Sequence, residues 1–185
     1  LKPLIVIPTT AGTGSEVTNV AVIADREHDV KMIFTSVHLL PRVAILDSRM
    51  TLTLPPHITA ATGIDALSHA MEASICLQKN PLSDVYAWAA IRLIREYLVQ
   101  VIRRPHNKEG RLALANAACM AGAAFSNSMV GMVHALGHAT GAVCHVPHGV
   151  AINIFLPHGL EYNMTQVAAE VGELLLPLAG AEVYA

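Results

Sequence analysis

The stretch TLTLPPHITAATGIDALSHAMEASI, residues 51–75, marks the point where the pattern of the chain changes. Before it, short apolar runs end in polar turns, which is typical of β-strands. Within it, apolar residues stand three and four apart from Ile64 to Ile75, which is typical of a helix. The pair Pro55 and Pro56 is the strongest boundary signal between the two patterns.

The two patterns predict two units, residues 1–54 and residues 55–185. The first unit should contain short strands, including a hairpin over residues 19–35 with a charged turn. LIVIPTT indicates another strand, and VAILDS a buried one. The second unit should be entirely helical. Its predicted helices cover residues 57–76, 80–104, 108–128, 130–143, 148–160 and 163–179.

Composition narrows the classes of function. Of the 185 residues 53% are hydrophobic and 14% charged, and the net charge is −2, so no basic field exists for nucleic acid or an anionic membrane. The low charge suits a surface that a partner chain or further sequence covers. The charge-free run at residues 112–133 is interrupted by Asn and Ser, which favours a buried helix over a membrane span. Three widely spaced cysteines are typical of reduced thiols in a cytoplasmic protein.

The stretch GMVHALGHATGAVCHVPHGV, residues 131–150, contains four histidines in a region without acidic residues. Buried imidazoles need partners for both ring nitrogens, so a carboxylate must come from elsewhere in the chain. Asp65 is a candidate, because it stands four residues before His69 and both project from one helix face. That spacing alone favours a surface ion pair, and on the residues alone a metal site and structural histidines both remain open.

The loop PTTAGTGSE, residues 8–16, follows a strand and offers glycines, hydroxyls and amides to an anionic or ribosyl ligand. It matches neither of the common phosphate-binding motifs. By itself it indicates an ordinary turn more strongly than a phosphate site.

The motifs PTTAGTGSEVT, GIDALSHAMEA and HALGHATGAVCHVPHG, in this order and spacing, resemble the iron-containing (group III) alcohol dehydrogenase family over essentially the whole chain. The resemblance implies an α+β multidomain fold of the dehydroquinate synthase type. In this chain the fold would be mostly helical, with a short β-rich N-terminal piece left from the cofactor-binding domain. It also implies a fragment that lacks most of the N-terminal nucleotide-binding half and the C-terminal end.

The resemblance further implies roles for individual residues. The metal ligands would be Asp65, His69, His134 and His148, and His138 would be a catalytic neighbour near the nicotinamide. His145 would be structural or would support a ligand. The residues expected to contact the dinucleotide are Thr9, Thr10, Gly12, Thr13, Val22, Lys31 and His138.

The implied activity is hydride transfer between an alcohol and NAD(P), or the reverse reduction of an aldehyde, with the substrate oxygen on Fe(II). Zinc is possible, since imidazole suits both metals. The expected partners are a small alcohol or aldehyde and further copies of the chain, without nucleic acid or membrane. The alternatives are an inactive or structural metal-binding helical fragment and a zinc enzyme of the glycerol dehydrogenase type.

Overall fold

The computed structural model describes residues 2–184, with strands first and helices after them, as the sequence predicts. The strands are β1 (Ile5–Val6), β2 (Val20–Asp25), β3 (Val30–Thr35) and β4 (Val43–Ala44). The helices are α1 (Pro56–Ile75), α2 (Pro81–Arg103), α3 (Lys108–Ser128), α4 (Met132–Val143), α5 (His148–Asn163), α6 (Ala168–Glu173), α7 (Leu175–Ala179) and α8 (Ala181–Tyr184). The chain is therefore mostly helical with a short β-rich N-terminal piece.

Helices α1, α2 and α3 pack against one another and form the core. Alanine dominates the contact surfaces, because a small side chain lets two helix backbones approach closely. The fully buried alanines are Ala70 and Ala73 of α1, Ala87 and Ala90 of α2, and Ala117, Ala121 and Ala124 of α3. Helix α5 packs on α1 and on α4, which brings the second half of the chain onto the same core.

Local signals fix the bounds of α2. The Asn80 side chain accepts hydrogen bonds from the backbone N–H groups of Leu82 and Ser83, and the Ser83 hydroxyl accepts one from the Asn80 N–H. Pro81 at the first helical position loses no intrahelical bond. The predicted bounds of α1, α2 and α3 are right to within one residue, and at α2 and α3 such a local cap marks the start of the helix.

The charge-free run at residues 112–133 forms most of α3, as the sequence predicts for a buried helix. Its buried residues face α1 and α2. Within residues 2–184 no helix is long and apolar enough to cross a membrane.

The predicted hairpin is confirmed as the antiparallel pair β2 and β3. Ala24 pairs with Lys31 and Val22 with Ile33, so these four side chains lie on one face of the ribbon. Strand β3 packs against α4, which places the hairpin beside the helical unit.

The expectation of a buried strand at VAILDS is wrong. Only Val43–Ala44 forms a strand, and it pairs in parallel with Ile5–Val6 in a two-residue ladder. Val43 and Ile45 remain 45% and 44% exposed, because so short a ladder covers little of either strand.

The single final helix expected over residues 163–179 is also wrong. Helix α5 runs on to Asn163, and α6 and α7 are short separate helices divided at Leu174. A continuous helix would need a backbone N–H at position 177 to bond to Glu173, and Pro177 has none. The proline is instead accommodated in the first turn of α7, where no such bond is needed.

Candidate metal centre

Helix α1 presents three ionisable side chains on one buried face. Asp65, His69 and Glu72 are only 3%, 6% and 2% exposed. Steps of four and seven residues rotate by about 400° and 700°, so all three project in similar directions. Sequence reasoning singled out Asp65 and His69 but missed Glu72, although its spacing from both residues places it on their face.

Helix α4 adds His134, which lies between the two carboxylates of α1. Its Nε2 is 3.6 Å from Asp65 Oδ1. Its Nδ1 hydrogen-bonds to Glu72 Oε2. The other oxygen, Glu72 Oε1, accepts a hydrogen bond of 2.8 Å from the backbone N–H of Val133. His134 is therefore held from both sides.

Helix α5 begins with His148, directly after Pro147, as the sequence predicts. Its Nε2 lies 3.4 Å from Asp65 Oδ1, and its side chain is 30% exposed. Asp65 thus contacts histidines from two further helices, and the cluster meets the surface at His148.

Ring stacking fixes the His69 imidazole. Its centroid lies 4.4 Å from that of Phe125 and 4.3 Å from that of His134, with nearly parallel planes. One ligand atom each of Asp65, His69 and His134 lies within 4.8 Å of the other two. His148 adjoins Asp65 but stands outside this mutual group.

Several buried polar atoms of the cluster have no hydrogen-bond partner among the described residues. They are Asp65 Oδ1, His69 Nδ1, His134 Nε2 and His148 Nδ1. Each such atom costs about 1–3 kcal/mol when it is left unpaired. Carboxylate oxygen and imidazole nitrogen are ligands that ferrous iron and zinc accept, so the donor set fits a divalent cation.

The pKa values of Asp65, His69 and His148 suit the binding of a cation. Burial on its own raises the pKa of Asp65, but the imidazoles of His69, His134 and His148 outweigh it and lower the pKa to about 2. Burial lowers the pKa of His69 to about 3 and also lowers that of His148. These two imidazoles are therefore neutral and have a lone pair for an ion.

His134 differs from the other two histidines. Burial lowers its pKa, but the adjacent carboxylates of Asp65 and Glu72 outweigh burial and raise the pKa to about 9. Without a metal ion its ring is therefore protonated at neutral pH, and a cation has to displace one proton.

His138 stands one turn after His134 on α4 and is half-buried. Its ring centroid lies 5.0 Å from that of His148 and 6.2 Å from that of His134. Burial lowers its pKa to about 4, and the neighbouring imidazoles and Lys31 act in the same direction. His138 is therefore a neutral side chain beside the cluster.

Lys31 and Val22, both expected to contact a dinucleotide, lie on the same hairpin face. Val22 is exposed, whereas Lys31 is half-buried and burial lowers its pKa. A methyl group added at Gly141 of α4 would lie 2.8 Å from Lys31 Nζ. The charge of Lys31 also acts on His138 and His148, so this residue belongs to the surroundings of the cluster.

The Thr/Gly loop packs so closely against the helices that a side chain at Gly12 or Gly14 would clash with them. A Cβ at Gly12 would lie 2.7 Å from the Thr62 Cβ. Thr62 is on α1, about one turn before Asp65. Gly14 has a φ of 61°, and a Cβ there would lie 2.6 Å from Gly122 Cα on α3. Thr9 and Thr13 are exposed and Thr10 is half-buried. The expected contact of this loop with a cofactor remains a prediction.

His145 lies apart from the cluster. Its side chain is 72% exposed, and its Nε2 is 3.7 Å from Asp29 Oδ1 in the hairpin turn. The expectation that His145 is structural or supports a ligand remains a prediction.

A helical unit with a buried Asp/His cluster defines a candidate metal-binding domain, and comparisons with known proteins identify its family. A family model described as "Fe-containing alcohol dehydrogenase family, C-terminal" matches residues 59–183. Another, described as "Iron-containing alcohol dehydrogenase", matches residues 1–48. The chain therefore belongs to the iron-containing alcohol dehydrogenase family, as its motifs predict.

Individual relatives agree with this assignment. The chain is 47% identical over 161 residues to "Probable alcohol dehydrogenase EutG" of Escherichia coli, covering 87% of the chain and 41% of the relative. It is 41% identical over 176 residues to the "NAD-dependent methanol dehydrogenase" of Bacillus methanolicus, covering 94% and 46%. The chain thus spans less than half of the length of these curated relatives.

The fold is shared with solved structures of the family. The alcohol dehydrogenase from Oenococcus oeni superposes with a TM-score of 0.94 at 37% identity, covering 99% of this chain and 48% of that one. The predicted fold class, an α+β fold that is mostly helical in this chain, is confirmed.

Proposed function

We propose that the chain carries the metal centre of an NAD(P)-dependent alcohol dehydrogenase that interconverts a small alcohol and its aldehyde by hydride transfer. The observation that carries the proposal is a group of buried oxygen and nitrogen atoms, on Asp65, His69, His134 and His148, that no other described residue pairs with. The residues come from three helices, so only the folded unit assembles them.

The proposed cation is ferrous iron, because the matching family is described as iron-containing. Zinc is the other candidate, since imidazole binds both. A bound divalent ion supplies a Lewis acid that polarises the oxygen of an alcohol or aldehyde. Asp65 and three neutral histidines would leave the centre with a net charge of about +1, which preserves that acidity.

The side chains around the cluster position the substrate. His148 and His138 lie beside one another where the cluster meets the surface, so they would flank the reacting alcohol. At neutral pH His138 is uncharged, so it can accept a hydrogen bond from a hydroxyl group or donate one to a carbonyl oxygen. Lys31 adds a positive charge on the hairpin side, which suits an anionic cofactor.

We propose NAD(P) as the hydride carrier, because one relative is named as NAD-dependent. The residues proposed to contact it are Thr9, Thr10, Gly12, Thr13, Val22, Lys31 and His138. The hairpin face that holds Val22 and Lys31 supports this proposal, since Lys31 lies near His138.

A structural ion site is the second candidate function. A structural site is closed by protein ligands, whereas a catalytic site keeps an open position. The 30% exposure of His148 favours an open site. Added azide or aldehyde should therefore change the absorption spectrum of the cobalt-substituted chain, and an unchanged spectrum would favour the structural role.

The main test is metal content after anaerobic purification with ferrous iron supplied. We expect about one ion per chain and its loss in His148→Ala. Substitution of His158, an exposed histidine on the same helix, serves as the matched control and should leave the metal content unchanged. Full metal content in His148→Ala would contradict the ligand assignment.

We further propose a cytoplasmic protein that forms homo-oligomers and binds neither nucleic acid nor membranes. The net charge of −2 supports the lack of nucleic-acid binding. Light scattering of the purified chain at several concentrations tests the oligomeric state.

A further inference from the structure

We propose that Glu72 is a positioning residue that orients His134 for the metal ion and caps helix α4 at the same time. The proposal rests on the proposed metal centre, since it gives a role to the carboxylate behind one of its ligands. Glu72 lies on α1, is 2% exposed, and contacts the first turn of α4 through both oxygens.

The first contact supplies an acceptor for a backbone N–H at the start of α4, which the residue before the helix cannot provide. The helix starts after Gly131, which has no side chain to accept a hydrogen bond from the first N–H groups. Glu72 Oε1 accepts the N–H of Val133 at 2.8 Å and so supplies this acceptor from another helix. A Cβ at Gly131 would lie 3.0 Å from the same oxygen, so glycine leaves room for the carboxylate.

The second contact decides which ring nitrogen of His134 is available. A carboxylate only accepts hydrogen bonds, so the Nδ1 that faces Glu72 Oε2 must carry hydrogen. In the neutral ring the lone pair is then on Nε2, the atom that lies 3.6 Å from Asp65 Oδ1 and has no hydrogen-bond partner in the described part of the chain. Glu72 therefore directs the metal-binding nitrogen toward the centre of the cluster.

The two contacts also set the spacing between the helices that supply the ligands. Asp65 and His69 are on α1 and His134 is on α4, and Glu72 joins these helices through one side chain. A carboxylate is needed for both contacts, because a neutral amide at this position can accept only on one side.

Glu72→Gln separates the two roles. The amide oxygen can still accept the Val133 N–H, so α4 keeps its cap. The amide N–H₂ then faces His134 Nδ1 and favours the ring form in which Nε2 carries hydrogen, which opposes metal binding. Glu72→Ala removes both contacts. Glu16→Gln is the matched control, because Glu16 is another carboxylate with only 3% exposure.

The experiment measures zinc affinity by competition with a chromogenic chelator, together with the midpoint of thermal unfolding without metal. For Glu72→Gln we expect an affinity about 10- to 100-fold below that of the original chain, with the unfolding midpoint nearly kept. Glu72→Ala should lose affinity and also unfold at a lower temperature. Glu16→Gln should keep its zinc affinity.

The outcomes separate this role from the metal centre itself. If the original chain binds zinc, Asp65→Asn does not, and Glu72→Gln binds as tightly as the original, then Glu72 does not position His134. An equal loss in Glu16→Gln and Glu72→Gln would also overturn the role. If neither the original chain nor Asp65→Asn binds zinc, the metal centre fails, and the role of Glu72 fails with it.

Discussion

Helix α1 contributes to two buried polar centres whose hydrogen bonding differs. At its first turn, the guanidinium of Arg111 donates hydrogen bonds to Thr59 Oγ1 at 2.7 Å, Leu54 O at 2.9 Å and Pro105 O at 2.9 Å. Less than two turns later, the cluster around Asp65 contains several oxygen and nitrogen atoms with no hydrogen-bond partner in residues 2–184. Burial is nearly equal, since Arg111 is 2% exposed and Asp65 is 3% exposed.

The difference teaches that burial of charge does not by itself mark a functional site. Protein oxygens on three sides satisfy Arg111, so its role is to join the start of α1 to α3. The Asp65 cluster retains oxygen and nitrogen atoms that no residue in 2–184 satisfies, which is what a proposed ion site requires. The first centre should therefore govern stability and the second should govern ion binding.

The largest expected effect is on the Arg111 centre. Arg111→Ala should lower the free energy of unfolding by about 3–5 kcal/mol, because it removes the donor to the buried Thr59 hydroxyl and to two partly buried backbone carbonyls and empties a large buried volume. Urea denaturation measures the change. Arg92→Ala, on the exposed side of α2, is the control and should stay within about 0.5 kcal/mol. A loss below about 1 kcal/mol in Arg111→Ala would contradict a structural role.

The next effect concerns stabilisation by a metal ion. Free zinc at about 100 times its dissociation constant should raise the free energy of unfolding by about 2.7 kcal/mol, because the ion binds only the folded chain. Asp65→Asn should lose this gain, since it removes the anionic ligand that contacts two histidines. Equal stabilisation of both chains in urea denaturation would mean that zinc binds elsewhere.

The third effect is a dependence of ion binding on pH. Because the pKa of His134 is raised to about 9, the ring is protonated below that pH and the ion must displace a proton. Zinc affinity should therefore rise about tenfold per pH unit between pH 6.5 and 8.5. Chelator competition at several pH values checks the slope. A flat profile would show that His134 binds the ion without losing a proton.

The smallest effect concerns the cysteines near the two centres. Burial raises the pKa of Cys76 and Cys119 to about 11, and the charges of Glu72 and Glu16 add to it, whereas Cys144 is exposed. Iodoacetamide at neutral pH should therefore alkylate Cys144 at least about ten times faster than it alkylates Cys76 or Cys119. Mass spectrometry of tryptic peptides identifies the site.

The same labelling compares the two centres. Arg111→Ala should expose Cys119 on the same helix and speed its alkylation, whereas His148→Ala should leave Cys119 protected. Fast alkylation of Cys119 in the original chain would contradict the burial of α3.

The three core helices α1, α2 and α3 could be predicted because their signals are local. The change of period near Pro55 and the caps of α2 and α3 set the bounds of the first three helices. The final helix was predicted wrongly, because apolar spacing over residues 163–179 hid the effect of Pro177. At VAILDS only Val43–Ala44 forms a strand, and the predicted burial is wrong because burial depends on a covering layer that local pattern does not encode.

Glu72 and Arg111 show why part of the site could not be predicted. Each residue acts through partners far away in sequence, Glu72 on α4 and Arg111 on residues 54 and 59. Helical spacing shows which residues share a face, but it does not show which helix packs against that face. The glycines of the Thr/Gly loop are a similar case, since they pack on Thr62 and Gly122.

The sequence by itself determined the family, the mostly helical fold and the candidate ligands, because these depend on residue type, order and spacing along one chain. Only the tertiary structure decided which ligand atoms are left unpaired, which carboxylate supports His134, and which histidine lies apart on the surface. The physical reason is that hydrogen bonding and desolvation depend on distances between side chains from different helices, and packing of the whole chain sets those distances.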